Sequence, residues 1–124
     1  MYNFYTDINK RDLVCKNKYK NIYYYIFDLG SHPTAYIKIG TNNKFYNINY
    51  FDYDSKLDIN VHGGITYTNN RLPIWFEKQY KDSWFIGWDY AHLGDYTLYF
   101  NEGKKYTIEE IIKDCKKVID QVIS

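Results

Sequence analysis

The chain has 124 residues, a length typical of a single domain, and 45% of them are apolar, which is enough for a buried core. The 16 basic and 15 acidic residues leave a formal charge of +1, whereas a DNA-binding protein normally carries a clear basic excess. No run approaches the roughly 18 apolar residues of a membrane span, and the first residues lack the pattern of a signal peptide. We therefore expect one cytoplasmic domain, residues 1–124, that binds neither nucleic acid nor membrane.

The cysteine, tyrosine and arginine contents give further information about the class of protein. Cys15 and Cys115 stand far apart without metal-ligand spacing, which predicts two reduced thiols rather than a disulfide framework or a zinc site. Tyrosine, with 16 residues, is abundant alongside Ile, Asn and Lys, and all four have AT-rich codons. A single tyrosine is therefore weak evidence of function. Arginine occurs only as Arg11 and Arg71, so each arginine is more informative.

Most of the chain is predicted to form short strands. Asp7 to about Lys18 is ambiguous, because its apolar residues also fit a short helix of poor periodicity. Beyond it, runs of aromatic and β-branched residues alternate with clusters of turn residues, which is typical of strands in an antiparallel sheet. The predicted strands are Tyr23–Phe27, Ala35–Ile39, Phe45–Tyr53, Leu57–Val61, Ile65–Thr68, Trp84–Trp88 and Thr97–Phe100.

The last segment, Thr107 to Ser124, is predicted to form a long amphipathic helix, because its apolar residues recur at intervals of three and four. Thr107 and Glu110 have the spacing of a capping box, and Tyr106 with Ile111 that of a hydrophobic staple. The apolar stripe suits docking on the sheet, a helix-mediated dimer, or both. The predicted fold class is α+β: an antiparallel β-sheet of five or six strands with a long C-terminal helix.

Two segments differ from ordinary strand sequence. In the first, a predicted strand leads into His62-Gly63-Gly64. Paired glycines permit positive φ and close approach of a ligand, and their amides suit an anion, although a tight turn alone also uses glycine in this way. The second segment places Asp89, His92 and Asp95 within seven residues at the end of a predicted strand. Such residues either line a cleft or brace a turn.

The sequence between these segments offers the remaining chemistry of a nucleotide site. Arg71 has a guanidinium group that can bind a phosphate through two parallel hydrogen bonds. The aromatic rings of Trp75 and Phe76, or of Trp88, can stack on a flat base. Asp89, His92 and Asp95 would either meet ribose hydroxyls or brace the pocket. No P-loop and no strand–GxGxxG–helix unit is present, which excludes the standard nucleotide folds. We therefore expect the double-glycine turn and the Asp–His–Asp segment to meet around one cavity.

The two segments resemble a widespread family of small phage proteins. The family hallmarks are V-H-G-G-I/L-T-Y/F and a later G-F/W-D-x-A-H-x-G-D, and both stand here in order, within residues 32–96. In size, strand-rich layout and terminal helix the chain is also similar to the Thoeris anti-defense 1 family. That resemblance implies a phage or prophage protein that captures a cyclic ADP-ribose signalling nucleotide without cleaving it, as a homodimer or higher homo-oligomer in the bacterial cytoplasm.

Three functions follow as hypotheses. The leading one is a nucleotide sponge without catalytic residues, cofactor or metal. Its ligand-binding residues are expected to be His62, Gly63, Gly64, Arg71, Trp75, Phe76, Trp88, Asp89, His92 and Asp95. The second is a phosphodiester hydrolase of a cyclic nucleotide, in which the histidines and aspartates form a metal site or an acid–base pair. The third is a protein-binding module that uses the C-terminal helix.

Overall fold

The described part of the chain folds as one antiparallel sheet and one helix. A computed structural model describes residues 2–52, 57–73 and 83–124. Within them, the chain forms five strands and then a helix of 16 residues. These elements are β1 Asp12–Tyr19, β2 Ile22–Asp28, β3 Pro33–Ile39, β4 Tyr67–Asn69, β5 Trp84–Asp89 and α1 Ile108–Ile123. The predicted α+β class is confirmed.

The strands lie in the order β1-β2-β3-β5-β4, and every neighbouring pair is antiparallel. In this register Ile26 faces Ala35 and Ala35 faces Trp88, so these three side chains share one face of the sheet. Tyr25, Tyr36 and Gly87 align in the same way on the other face. The central strands β2, β3 and β5 are buried over most of their length, which explains their near-continuous apolar sequences.

Helix α1 covers the first face. Its buried residues pack against β2 and β3, and they are Ile111, Cys115, Val118, Ile119 and Val122. The predicted capping box is present: the Glu110 amide donates to Thr107 Oγ1, and the Thr107 amide donates to Glu110 Oε1. The apolar stripe is thus used within the chain. Within the described ranges, no helix is long and apolar enough to cross a bilayer. Cys15 and Cys115 are both free thiols.

The opposite face carries a second, smaller core. Tyr25, Phe27, Tyr36 and Phe85 project from the strands, and Leu72 packs on them from the segment after β4. Tyr36 contacts both Phe27 and Tyr67 edge to face. Tyr67 of β4 and Leu72 therefore lie on the face away from the helix.

Three strand predictions agree with the structure and others need correction. β2, β3 and β5 contain Tyr23–Phe27, Ala35–Ile39 and Trp84–Trp88. In contrast, the described part of Phe45–Tyr53 forms successive turns, with Tyr46 donating to the Asn43 carbonyl and Ile48 to that of Phe45. The Asn43 side chain also accepts from the Phe45 amide. Asparagine side chains compete with strand hydrogen bonding in this way, and the sequence pattern underestimates that competition.

The remaining corrections concern where backbone groups find partners. Leu57–Val61 is not a strand, because the Asn60 amide and carbonyl both bond the Gln121 side chain of α1. Of Ile65–Thr68 only Tyr67 and Thr68 belong to a strand, β4, although the Thr66 amide also donates to the Gly87 carbonyl. Thr97–Phe100 closes into a turn through Thr97 Oγ1. The ambiguous segment from Asp7 to about Lys18 overlaps strand β1, Asp12–Tyr19, whose mostly exposed sequence carries little periodicity.

Candidate functional site

The double-glycine turn places His62 at the surface of the helix side. Val61 is buried and anchors the segment before the turn, and the Gly64 amide donates to the Val61 carbonyl at 2.9 Å. Both glycines have positive φ, +68° at Gly63 and +81° at Gly64. A Cβ on Gly63 would lie 2.2 Å from the His92 ring, so only glycine lets the turn approach that imidazole so closely.

The segment after β5 is folded around Asp95. The Asp95 amide donates to the His92 carbonyl, and Asp95 Oδ2 accepts from the His92 amide at 3.0 Å. A parallel bridge joins Asp95 to Lys104, and it brings the residues that precede α1 alongside this turn. Asp95 is 4% exposed, so its carboxylate is fixed and largely removed from water. Asp89 lies at the end of β5, where it accepts from the Ala91 amide and the Thr66 hydroxyl.

The two predicted segments meet at a cluster of two imidazoles and a carboxylate. His62 Nε2 lies 2.7 Å from Asp95 Oδ2, to which it donates, since an ionised carboxylate only accepts. The His92 ring stands 5.7 Å from the His62 ring at 79°. His92 Nδ1 is buried and has no hydrogen-bond partner among the described residues. It lies 3.5 Å from Asp89 Oδ1 and 3.8 Å from Asp95 Oδ2.

Two tyrosines hold the His62 ring in place. Tyr90 is fully buried and stacks on the imidazole with centroids 5.0 Å apart and planes 10° from parallel. The Tyr90 hydroxyl accepts from Trp88 Nε1 and donates to Asp114 of α1, which fixes the tyrosine in turn. The Tyr106 hydroxyl lies 3.3 Å from His62 Nδ1, and burial raises the pKa of that hydroxyl. Tyr106 is therefore neutral and able to donate or accept.

Two clefts border this cluster. The smaller, of about 360 Å³, includes His92 and Asp95 and is bordered by Leu93, Tyr99 and Phe100. These three apolar side chains are 99%, 80% and 60% exposed. His32 also lines this cleft, and burial lowers its pKa. We call it the aromatic cleft.

The larger cleft, of about 1190 Å³, runs from His62 and Tyr106 along the polar face of α1. We call it the lysine cleft, because four lysines line it together with three acidic residues. The lysines are Lys104, Lys113, Lys116 and Lys117.

The other predicted site residues lie elsewhere. Arg71 is exposed beyond β4, where its carbonyl accepts from the Tyr67 hydroxyl, on the face away from α1. Trp88 is 1% exposed and belongs to the core under α1, so its ring has no free face for stacking. Trp75 and Phe76 fall outside the described residues. The structure thus joins His62, Gly63, Gly64, Asp89, His92 and Asp95.

Sequence reasoning missed the residues that complete the surroundings of the cluster: Tyr106, His32, Tyr99 and Phe100. The sequence pattern gives Tyr106 only a packing role, as part of a hydrophobic staple with Ile111. His32 was a usable signal, because the chain has three histidines and all three lie at this end of the molecule. No protein-family model, curated protein or solved structure matches this chain.

Proposed function

We propose that this protein binds a small phosphorylated nucleotide of the cyclic ADP-ribose type at the His62–His92–Asp95 cluster and holds it without cleaving it. In the proposal, the protein is a phage or prophage product that works in the cytoplasm of a bacterial host, as a homodimer or higher homo-oligomer. Capture of the signalling nucleotide there would inhibit Thoeris immunity. The biological setting rests on the family resemblance, and the binding chemistry rests on the site.

The observation that carries the proposal is the aromatic cleft. Its volume of about 360 Å³ lies within the range of small-molecule sites, roughly 300–1,000 Å³. Leu93, Tyr99 and Phe100 expose apolar surface beside fixed polar groups, which suits a flat base that stacks at its faces and hydrogen-bonds at its edge. Large apolar side chains exposed together beside a polar cleft are typical of a binding surface.

The lysine cleft supplies the complementary charge. Lys104, Lys113, Lys116 and Lys117 line this cleft together with His62. Glu110 pairs with Lys104 at 2.6 Å, so the cations are partly balanced within the cleft. A phosphate beside His62 would meet several cations while a base occupied the other cleft. A nucleotide that bridges the cluster therefore fits the arrangement of charge and apolar surface.

Sequestration requires tight binding, because a sponge acts by mass action on a scarce signal. A nanomolar dissociation constant corresponds to about −12 kcal/mol. One buried stack and several charge-assisted hydrogen bonds supply energies of this order. Arg71 and the Gly64 amide contribute less than the sequence predicts, since Arg71 lies on the opposite face and the amide is already bonded to Val61.

The test is a binding and recovery experiment. The purified chain is titrated with cyclic ADP-ribose and its glycosidic isomers by calorimetry, and the loaded protein is then heat-denatured and the released nucleotide identified by mass spectrometry. We expect nanomolar binding of at least one isomer and its recovery intact. Absence of binding to every isomer would refute the proposal, and recovery of a cleaved product would refute capture.

A matched pair of variants locates the site. Tyr99→Ala removes an exposed ring from the aromatic cleft and is expected to weaken nucleotide binding at least tenfold. Phe51→Ala removes a ring that is 66% exposed in the turn segment between β3 and β4. The same segment bonds Trp84, at the opposite end of β5 from Asp89, through the Ile48 carbonyl. Binding is expected to be unchanged in this control. Equal losses in both variants would show that the ligand does not occupy the aromatic cleft.

A phosphodiester hydrolase is the second candidate, favoured by the His62–Asp95 pair at 2.7 Å. A buried carboxylate that orients an imidazole is a common general-base arrangement. The imidazole's other nitrogen faces the Tyr106 hydroxyl at the edge of the lysine cleft, where a substrate proton would be accessible. Recovery of cleaved nucleotide from the wild-type protein, together with loss of cleavage in Asp95→Asn, would support this function instead of capture.

A further inference from the structure

We propose that His62, His92 and Asp95 form a binding site for one divalent first-row transition metal ion, with Zn²⁺ as the reference ligand. One donor atom from each residue lies within 4.8 Å of the other two. This proposal replaces the expectation from sequence that the chain binds no metal. It does not depend on nucleotide binding, because metal is titrated in the absence of nucleotide.

The donor set selects the class of metal. Two imidazole nitrogens and one carboxylate oxygen are the ligands that zinc and its neighbours use in three-ligand sites. Calcium and magnesium prefer sets of oxygen atoms. Three protein ligands leave at least one coordination position open, and the cluster borders both the aromatic and the lysine clefts. An anionic group of a ligand would have access to that open position.

The spacing of the donors fits after small movements. Two ligands that are each about 2.1 Å from a tetrahedral metal lie about 3.4 Å apart. His62 Nε2 and Asp95 Oδ2 are closer than this, at 2.7 Å, and His92 Nδ1 and Asp95 Oδ2 are slightly farther, at 3.8 Å. The imidazole side chains are 25% and 32% exposed, so they have room to adjust around the buried carboxylate.

The surroundings supply the support that metal ligands need. A ligating histidine normally uses its second ring nitrogen in a hydrogen bond that fixes its orientation. For His62 that partner is the Tyr106 hydroxyl, which accepts from Nδ1 when the metal occupies Nε2. Asp89 Oδ1 lies 3.5 Å from His92 Nδ1, the nitrogen that would bind the metal, and is anchored by the Ala91 amide. It therefore places a second carboxylate beside the proposed site.

His92 gives an independent indication. Its Nδ1 is removed from solvent without a hydrogen bond among the described residues, and a buried nitrogen in this state is costly. Coordination of a metal by His92 would draw this ring into an interaction that the metal-free arrangement lacks. The Gly63 turn presses against the same ring and leaves no space for a side chain between them.

The test is a metal titration of chelator-stripped protein with ZnCl₂ by calorimetry, with Co²⁺ absorption spectra as a second readout. Wild-type protein is expected to bind one equivalent per chain, and excess Mg²⁺ is expected not to compete. His62→Ala and His92→Ala are expected to bind at least tenfold more weakly. His32→Ala is the matched control, because His32 is the third histidine and bonds Ser31 in the adjacent cleft. Cys15→Ser controls for the partly exposed thiol.

A readout without variants keeps the proposal testable if a substitution prevents folding. In NMR spectra of the wild-type protein, one equivalent of Zn²⁺ should shift the imidazole signals of His62 and His92 and leave those of His32 in place. Three outcomes would overturn the proposal: no saturable binding at millimolar Zn²⁺, unchanged affinity in both His62→Ala and His92→Ala, or zinc-induced shifts confined to His32 or the cysteines.

Discussion

Alanine substitutions at Gly63 and Gly64 separate backbone strain from contact with the site. Both glycines have φ between +60° and +90°, so alanine at either position should cost about 1–2 kcal/mol of unfolding free energy. A Cβ on Gly64 meets nothing within 4 Å, whereas a Cβ on Gly63 lies 2.2 Å from the His92 ring. Ordinary contacts begin near 3.4 Å, so the ring must move by about 1 Å or more.

The displaced imidazole determines the difference between the two variants. A rotation of about 30° away from a rotamer costs roughly 0.5–1.5 kcal/mol. Gly63→Ala should therefore destabilise the protein by about 1.5–3.5 kcal/mol, and Gly64→Ala by about 1–2 kcal/mol, in urea unfolding followed by circular dichroism. Gly63→Ala should also weaken zinc binding, and Gly64→Ala should not. Equal unfolding free energies together with equal zinc affinities would refute the described contact.

Three further predictions concern stability. Thr107→Ala removes the N-cap of α1 and should cost about 1 kcal/mol, whereas Thr107→Ser should change stability by a few tenths at most. Tyr90→Phe leaves the buried Trp88 indole N–H unpaired and should cost about 1–3 kcal/mol, against less than about 0.5 kcal/mol for the exposed Tyr99→Phe. Burial lowers the pKa of His32, so the unfolded state takes up a proton at this histidine more readily than the folded state does. Stability should therefore fall as the pH drops below about 6.5, the ordinary pKa of histidine. His32→Gln should make this fall smaller.

Urea titrations at pH 7.5 and 5.0 check all three. Equal unfolding free energies for Thr107→Ala and Thr107→Ser would contradict the capping geometry. A Tyr90→Phe variant as stable as Tyr99→Phe would mean that the indole finds another partner. An identical pH dependence of wild-type protein and His32→Gln would show that His32 titrates normally in the folded state.

The secondary structure was predictable where apolar pattern and hydrogen bonding agree. Helix α1 has a capping box and a clear period, and β2, β3 and β5 are buried central strands with matching sequences. The prediction failed where side chains replace the strand ladder, as at Asn60, whose backbone bonds Gln121. Leu57–Val61 still alternates in burial, since Ile59 and Val61 are buried and Asn60 is exposed. The pattern therefore reported which side chains face inward and not which groups bond the backbone.

The site was predictable only in its sequence-local parts. His62-Gly63-Gly64 and Asp89, His92 and Asp95 each stand out as short segments, and the structure brings them together. Tyr106 reaches His62 because the bridge between Asp95 and Lys104 aligns distant segments, and no local pattern encodes that pairing. The abundance of tyrosine also hid Tyr106 and Tyr99 among residues that only pack.

The hydrogen-bond relay from Trp88 through Tyr90 to Asp114 has a consequence for recognition. The relay bonds Tyr90, on which the His62 ring stacks, to strand β5 and to helix α1. The stacking surface for His62 is therefore held in place by the core. Such preorganisation reduces the ordering entropy that association would otherwise cost. Trp88 and Tyr90 thereby link the core to the proposed site, and loosening the interior at Tyr90 should shorten the residence time of a ligand bound there.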